Sequence, residues 1–333
     1  MTIASSTVGL IRAGNLNPPA GPPAPTMKTL TQVEPRTPIE VLPYTISQPG
    51  SYYLTQNLTA SGGGGIAIQA SDVTLDLNGF TLDGGLPGQV AICECAPAPL
   101  TNWVIRNGTL RNWFSGGVSA TNVDGVRIEG LTLINSGLLG LALGDHARVT
   151  DTLVEIQGGT SSDGIFVLRQ STIERCTVSG LPSSTSRGIV TGPNSIVTLC
   201  NIESFASGVV AGAGTNVSHC TISSVGCAGA AGIILNGNSV VEGNSISGVG
   251  CSIYDGSSNF GIKMASGQSN VIDGNHFRLV ITGIDLSGSN YNVVFHNSML
   301  GVFNWTSGGN PQDRVAPFEH VDISLNPWAN IIN

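Results

Sequence analysis

The chain has 333 residues, of which 45 are glycine; charged residues make up only 10%, and the formal net charge is -8. Such a sequence is too apolar for a disordered chain, and its acidic balance argues against nucleic acid or an anionic membrane as the partner. No uninterrupted apolar run approaches the roughly 20 residues of a transmembrane helix.

The opening MTIASSTVGLIRAGNLNPPAGPPAP lacks the long apolar core of a signal peptide and ends in a Pro/Gly run, so residues 1–37 are expected to form an extended arm. Residues 38–60 follow as an N-terminal cap, because YTISQPGSYYLTQNLT (44–59) reads as two strands around a Pro-Gly turn. Seven cysteines is an odd count, which leaves at least one thiol free or paired between chains. Cys93 and Cys95 form a C-x-C pair with no second ligand pair to complete a zinc site.

A glycine-aliphatic phrase then recurs: GIAI at 65, GVSA at 117, GLAL at 140, GIFV at 164, GIVT at 188, GVVA at 208, GIIL at 232, GIKM at 261 and GIDL at 283. From 117 onward the steps are 23, 24, 24, 20, 24, 29 and 22 residues. A fixed period in that range, with short alternating apolar runs, signals a solenoid. Each unit holds three short strands, and no stretch has the helical period of a βαβ crossover. One slot in the unit holds Thr152, Cys176, Cys200, Cys220, Asn244, Asn275 and Asn297, so stacked coils predict an interior cysteine ladder continued by an asparagine ladder. Gly130, Gly243 and Gly274 precede the slot and suit a corner with positive φ.

The G-[IV]-x-[aliphatic] phrases, the EGN, DGN and HN corners and the Asn ladder resemble the right-handed parallel β-helix proteins of the pectate-lyase-like superfold. The IEVLPYTISQPGSYYLTQNLT and VTLDLNGFTL segments also look like bacterial secreted β-helix repeat proteins. The expected fold is all-β: a single-stranded right-handed parallel β-helix of about ten coils over residues 61–303, followed by a C-terminal cap or tail at 304–333. The resemblance implies a secreted or cell-surface location and a polysaccharide partner, and it leaves the activity open. The polygalacturonase motifs N-T-D, D-D, G-H-G and R-I-K have no convincing counterpart. The arginine-rich signature of pectate lyases and the D-P-H-E motif of uronan epimerases are also missing.

Outward positions supply the candidates. Lys263 and Asp285 fall on adjacent coils. Lys263 is a candidate base for removing the C5 proton of a uronate, as a lysine does in some alginate-type β-helix lyases, and the plainer reading is a surface ion pair. Glu242 and Asp273 occupy one outward slot of adjacent coils, a geometry for an acid/base pair, for a Ca2+ site or for two solvated carboxylates. His276 and Arg278 are candidate binders of a glycan carboxylate, with Tyr254 and Asp255 of the loop GCSIYDGSSNFG (250–261) forming a wall. Asp163 and Arg187 read as a stacked salt bridge. Cys227 and Cys251 sit one coil apart at equivalent places, where a disulfide is sterically allowed.

Phe166, Val190, Val210 and Ile234 are consecutive outward residues and predict an exposed apolar stripe. Its cover is either the N-terminal arm or sister subunits of a homotrimer. The leading functional expectation is a lyase on an acidic glycan; the alternatives are a non-catalytic glycan-binding or structural module and a tailspike-like or filament-forming protein.

Overall fold

The computed structural model describes residues 35–332 apart from 62–63, 86–89, 97–98, 159–160, 182–184, 224–225, 227–229, 250–258, 320–325 and 327. Among the described residues every regular element is a strand, and each pairing between strands is parallel. The chain winds through about ten coils. A coil places one strand in a 12-stranded sheet and two in a 24-stranded sheet.

The 12-stranded sheet shows why the repeated phrase has its form. The second residue of each phrase points inward and stacks on its copies: Val118, Leu141, Ile165, Ile189, Val209, Ile233, Ile262 and Ile284 are partners in register and are all buried. Burying a Val, Leu or Ile side chain contributes ~1.5–3 kcal/mol, so a column that repeats it on each coil favours winding. The leading glycine is needed for close approach. A Cβ at Gly188 would lie 2.4 Å from Ile202 Cγ2 and 2.6 Å from the Gly208 carbonyl oxygen. At Gly164 it would lie 2.3 Å from Val178 Cγ1 and 2.6 Å from the Gly188 carbonyl oxygen.

The corner before the interior slot is left-handed in coil after coil. Gly130, Gly243 and Gly274 have φ of 60° to 62°, as the sequence implies, but Asp151, Arg175, Leu199, His219 and His296 adopt 52° to 56° at the same place. A non-glycine there costs ~1–2 kcal/mol.

The interior slot is a ladder. Cys176, Cys200 and Cys220 are buried, and the Cys220 N–H donates to Asn244 Oδ1 at 2.9 Å. Asn244 Nδ2 then donates to Asn275 Oδ1, Asn275 Nδ2 to Asn297 Oδ1, and Asn297 Nδ2 to Asn330 Oδ1, at 3.0, 3.0 and 3.1 Å. Hydrogen bonding with Cys200 and burial push the Cys176 thiol up. A second ladder runs beside it: Ser171, Ser195, Thr215, Ser239, Asn270 and Asn292 are buried at matching positions, with the Asn292 amide donating to Asp313 Oδ1 at 3.0 Å.

The ends extend these ladders. The Pro-Gly turn joins strands of different sheets: Tyr44–Ile46 pairs with Ile66–Ile68 in one, and Gly50–Leu54 with Val73–Asp76 in the other. In the tail, Asn330–Ile332 pairs with Ser298–Leu300, so Asn330 is the last rung. The N-terminal arm expected at 1–37 falls almost entirely outside the described residues.

Candidate functional site

The outer face of the 24-stranded sheet carries two columns of outward side chains. The first runs Thr74, Val104, Arg127, Arg148, Thr172, Ile196, Asn216, Val240, Val271, Val293 and Arg314. The second runs Asp76, Arg106, Glu129, Thr150, Glu174, Thr198, Ser218, Glu242, Asp273 and Phe295. Stacking at ~4.8 Å puts each side chain beside its neighbours on the adjoining coils.

Where Arg127 and Arg148 of the first column lie beside Glu129 and Thr150 of the second, a groove of about 790 Å³ opens, lined also by His146, Gln170 and Arg175 among others. Its arginines are not equivalent. Arg148 lies 3.6 Å from Glu174 Oε2, and Arg175 contacts both Glu174 and Asp151, the latter at 2.7 Å. The Arg175 guanidinium beside Asp151 holds its carboxyl below the usual carboxylate range. Arg127 makes no ion pair with any described residue. His146, at a left-handed corner, places Nδ1 2.6 Å from Asp124 Oδ1 and Nε2 3.0 Å from Gln170 Oε1. The Asp124 carboxylate raises its pKa above the ordinary histidine value. The Arg127 guanidinium fork has the geometry to donate paired hydrogen bonds to a planar anion, in a groove that Asp124 and Glu129 also line.

This groove is not among the sites read from the sequence. The signal was present: Arg127, Arg148 and Thr172 each stand three residues before a left-handed corner, at Gly130, Asp151 and Arg175.

The sequence candidates divide between the sheets. Glu242 and Asp273 pair in register on the 24-stranded sheet, and Asp273 Oδ1 lies 2.8 Å from His296 Nδ1. His276 and Arg278 are exposed on a neighbouring strand of that sheet, and His276 Nδ1 lies 2.6 Å from the Ser298 hydroxyl. Lys263 and Asp285 are register partners on the 12-stranded sheet, so they share no face with His276 and Arg278. The expected Lys263–Asp285 ion pair does not form. Asp285 is only 4% exposed and accepts hydrogen bonds from the Ser287 N–H at 3.1 Å and the Ser307 hydroxyl at 2.9 Å, while Lys263 Nζ sits 5.2 Å from the Phe260 ring centroid. Local donors outcompete the lysine. Tyr254 and Asp255, and the Cys227–Cys251 pairing, lie outside the described residues.

The Asp163–Arg187 bridge is present, with two contacts of 2.7 Å. The stripe Phe166, Val190, Val210, Ile234 has the expected register. Its members are shielded more than expected: Val190 is buried and the other three are half-buried, because side chains stacked at ~4.8 Å cover one another. Among the described residues no cluster of His, Cys, Asp and Glu is arranged to hold a metal ion, and no helix is long and apolar enough to cross a membrane.

A family model described as a right handed beta helix region matches residues 99–246. The chain is a right-handed parallel β-helix. Solved structures with the same fold include the tailspike of E. coli bacteriophage HK620 in complex with a pentasaccharide, at 14% identity and a TM-score of 0.61, covering 86% of this chain and 60% of that one. The A-module of the Azotobacter vinelandii mannuronan C-5 epimerase matches at 14% identity and a TM-score of 0.53, covering 80% and 91%. The Dettilon tailspike matches at 16% identity and a TM-score of 0.51, covering 89% and 61%. The β-helix thus spans about three fifths of the length of either tailspike chain. No curated protein sequence matches it.

Proposed function

We propose that this β-helix binds an acidic polysaccharide along the outer face of its 24-stranded sheet, at a cell surface or outside the cell. The observation that carries the reading is the adjoining pair Arg127 and Arg148 in the 790 Å³ groove, with Arg127 in no ion pair with any described residue. A carboxylate on the sugar satisfies that guanidinium, and Thr150, Thr172 and Gln170 supply hydroxyl and amide groups for sugar oxygens. That a tailspike of this fold is seen in complex with a pentasaccharide, and that another protein of this fold is a mannuronan C-5 epimerase module, fit the reading.

A catalytic form of the proposal is favoured by the Glu242–Asp273–His296 arrangement on the same sheet. In a lyase reaction a base here takes the C5 proton of a uronate. The C5–H electrons form the C4=C5 double bond, the C4–O bond breaks, and the departing oxygen leaves with a proton from an acid. Lys263, on the other sheet, is outside this constellation and belongs to a separate lyase hypothesis.

The test is calorimetric titration of uronate polymers into the full chain, alongside ultraviolet detection of unsaturated product. Binding without product supports the non-catalytic module. Product that disappears in Asp273→Asn but persists in Lys263→Ala supports catalysis at the carboxylate pair, and the opposite result moves it to Lys263. No binding to any uronate polymer overturns the proposal.

A further inference from the structure

At the far end of the same face, three rings gather. Trp328 is 60% exposed and stacks on His296, with centroids 5.6 Å apart and planes inclined at 22°. Phe295 meets both edge-on, at 4.8 Å from His296 and 5.9 Å from Trp328. A cavity of about 450 Å³ opens between Phe295, Trp328, Val315 and Arg314. Arg314 is exposed and makes no ion pair with any described residue.

An exposed indole face braced by two other rings is costly to leave in water. Its negative π-face attracts the polarised C–H groups of a pyranose ring, and the unpaired guanidinium beside it attracts a carboxylate. We infer that Trp328, braced by His296 and Phe295 and flanked by Arg314, is a second saccharide subsite that takes a uronate ring.

Arg314 stands in the same outward column as Arg127. Eight register steps separate them: to Arg148, Thr172, Ile196, Asn216, Val240, Val271, Val293 and Arg314. At ~4.8 Å per step the two sites lie ~38 Å apart along the coil axis. A short oligosaccharide reaches one of them, whereas a long chain lying along the axis engages both and gains from effective concentration. The bridging part of the inference rests on the binding reading for the arginine groove; the Trp328 subsite stands on its own geometry.

The experiment titrates oligouronates of two lengths, a trisaccharide and a dodecasaccharide, into the full chain, following heat and tryptophan fluorescence. The wild type is expected to bind the longer chain at least about tenfold more tightly. Trp328→Ala and Arg314→Ala are expected to abolish that gap while leaving trisaccharide binding at the arginine groove, and Trp328→Phe to restore most of it. A gap unchanged in Trp328→Ala overturns the subsite. Failure of the groove reading alone looks different: quenching by the trisaccharide that is lost in Trp328→Ala but unaffected by Arg127→Ala. A wild type that neither binds nor is quenched by either oligomer overturns both, and thermal melts of each variant identify any loss caused by unfolding.

Discussion

Arg127 and Arg148 face each other across adjoining coils, yet among the described residues only Arg148 of the two lies within ion-pair distance of a carboxylate, Glu174 Oε2 at 3.6 Å. The asymmetry separates structure from binding. Truncating Arg127 removes no internal ion pair, so Arg127→Ala is expected to leave the melting temperature almost unchanged. The same substitution should weaken uronate polymer binding by roughly tenfold or more, since a hydrogen bond to a charged group contributes about 1.5–3 kcal/mol. The residual affinity should also become less salt-sensitive. Unaltered affinity in calorimetry would remove Arg127 from the binding face.

Asn275 provides the corresponding test for the interior. Its Oδ1 accepts from both the Asn244 N–H and Asn244 Nδ2, and its Nδ2 donates to Asn297 Oδ1 and the Val241 carbonyl. The residue is fully buried. Asn275→Ala strands several of these partners, each costing about 1–3 kcal/mol. A loss of about 3–5 kcal/mol in urea unfolding is expected, against almost none for the exposed Ser245→Ala. A loss under about 1 kcal/mol would mean that water replaces the rung.

Much of this was legible in the sequence because a solenoid repeats its constraints. Thr152, the three thiols and the asparagines share one spacing, so the ladder could be counted before it was seen. The second ladder was not, since Ser171, Ser195 and Ser239 have the composition of ordinary turns. The register of Lys263 with Asp285 was also readable, but side-chain direction was not. The Ser287 N–H and Ser307 hydroxyl that capture Asp285 belong to different coils. Arg127 and Arg148 become neighbours only through the winding, and although Gly130 marks the corner after Arg127, the corner after Arg148 is Asp151, which carries no glycine to mark it.

Gly188 tests the close packing of the repeated phrase. An added methyl would lie 2.4 Å from Ile202 Cγ2 and 2.6 Å from the Gly208 carbonyl oxygen, and the latter is backbone held in the next coil. Gly188→Ala is therefore expected to destabilise by about 1–3 kcal/mol, the range for overpacking, through separation of adjacent coils. Urea denaturation of the variant checks it. Wild-type stability would show that the coils part at little cost.

His146 should make binding depend on pH. Both ring nitrogens face acceptors, Asp124 Oδ1 and Gln170 Oε1, and the doubly protonated ring satisfies both as a donor. The Asp124 hydrogen bond is the first cause of its raised pKa, followed by the opposing effect of desolvation. For a group raised in the folded state, the stabilising contribution is complete below the unfolded value of about 6.5 and is lost as pH rises through the higher folded value. Because the pair is exposed and screened, that contribution is small, and ring titration followed by nuclear magnetic resonance is the proper measurement. His146 should titrate above the unperturbed value in the wild type and fall towards it in Asp124→Asn. Since His146 lines the arginine groove, its proton adds positive charge where a carboxylate binds. Affinity for uronate polymers is therefore expected to rise as pH falls through the His146 pKa, down to the point where the uronates themselves protonate. In His146→Gln that rise should disappear. A wild type whose affinity stays flat across the His146 titration would show that the ligand lies beyond the reach of this ring.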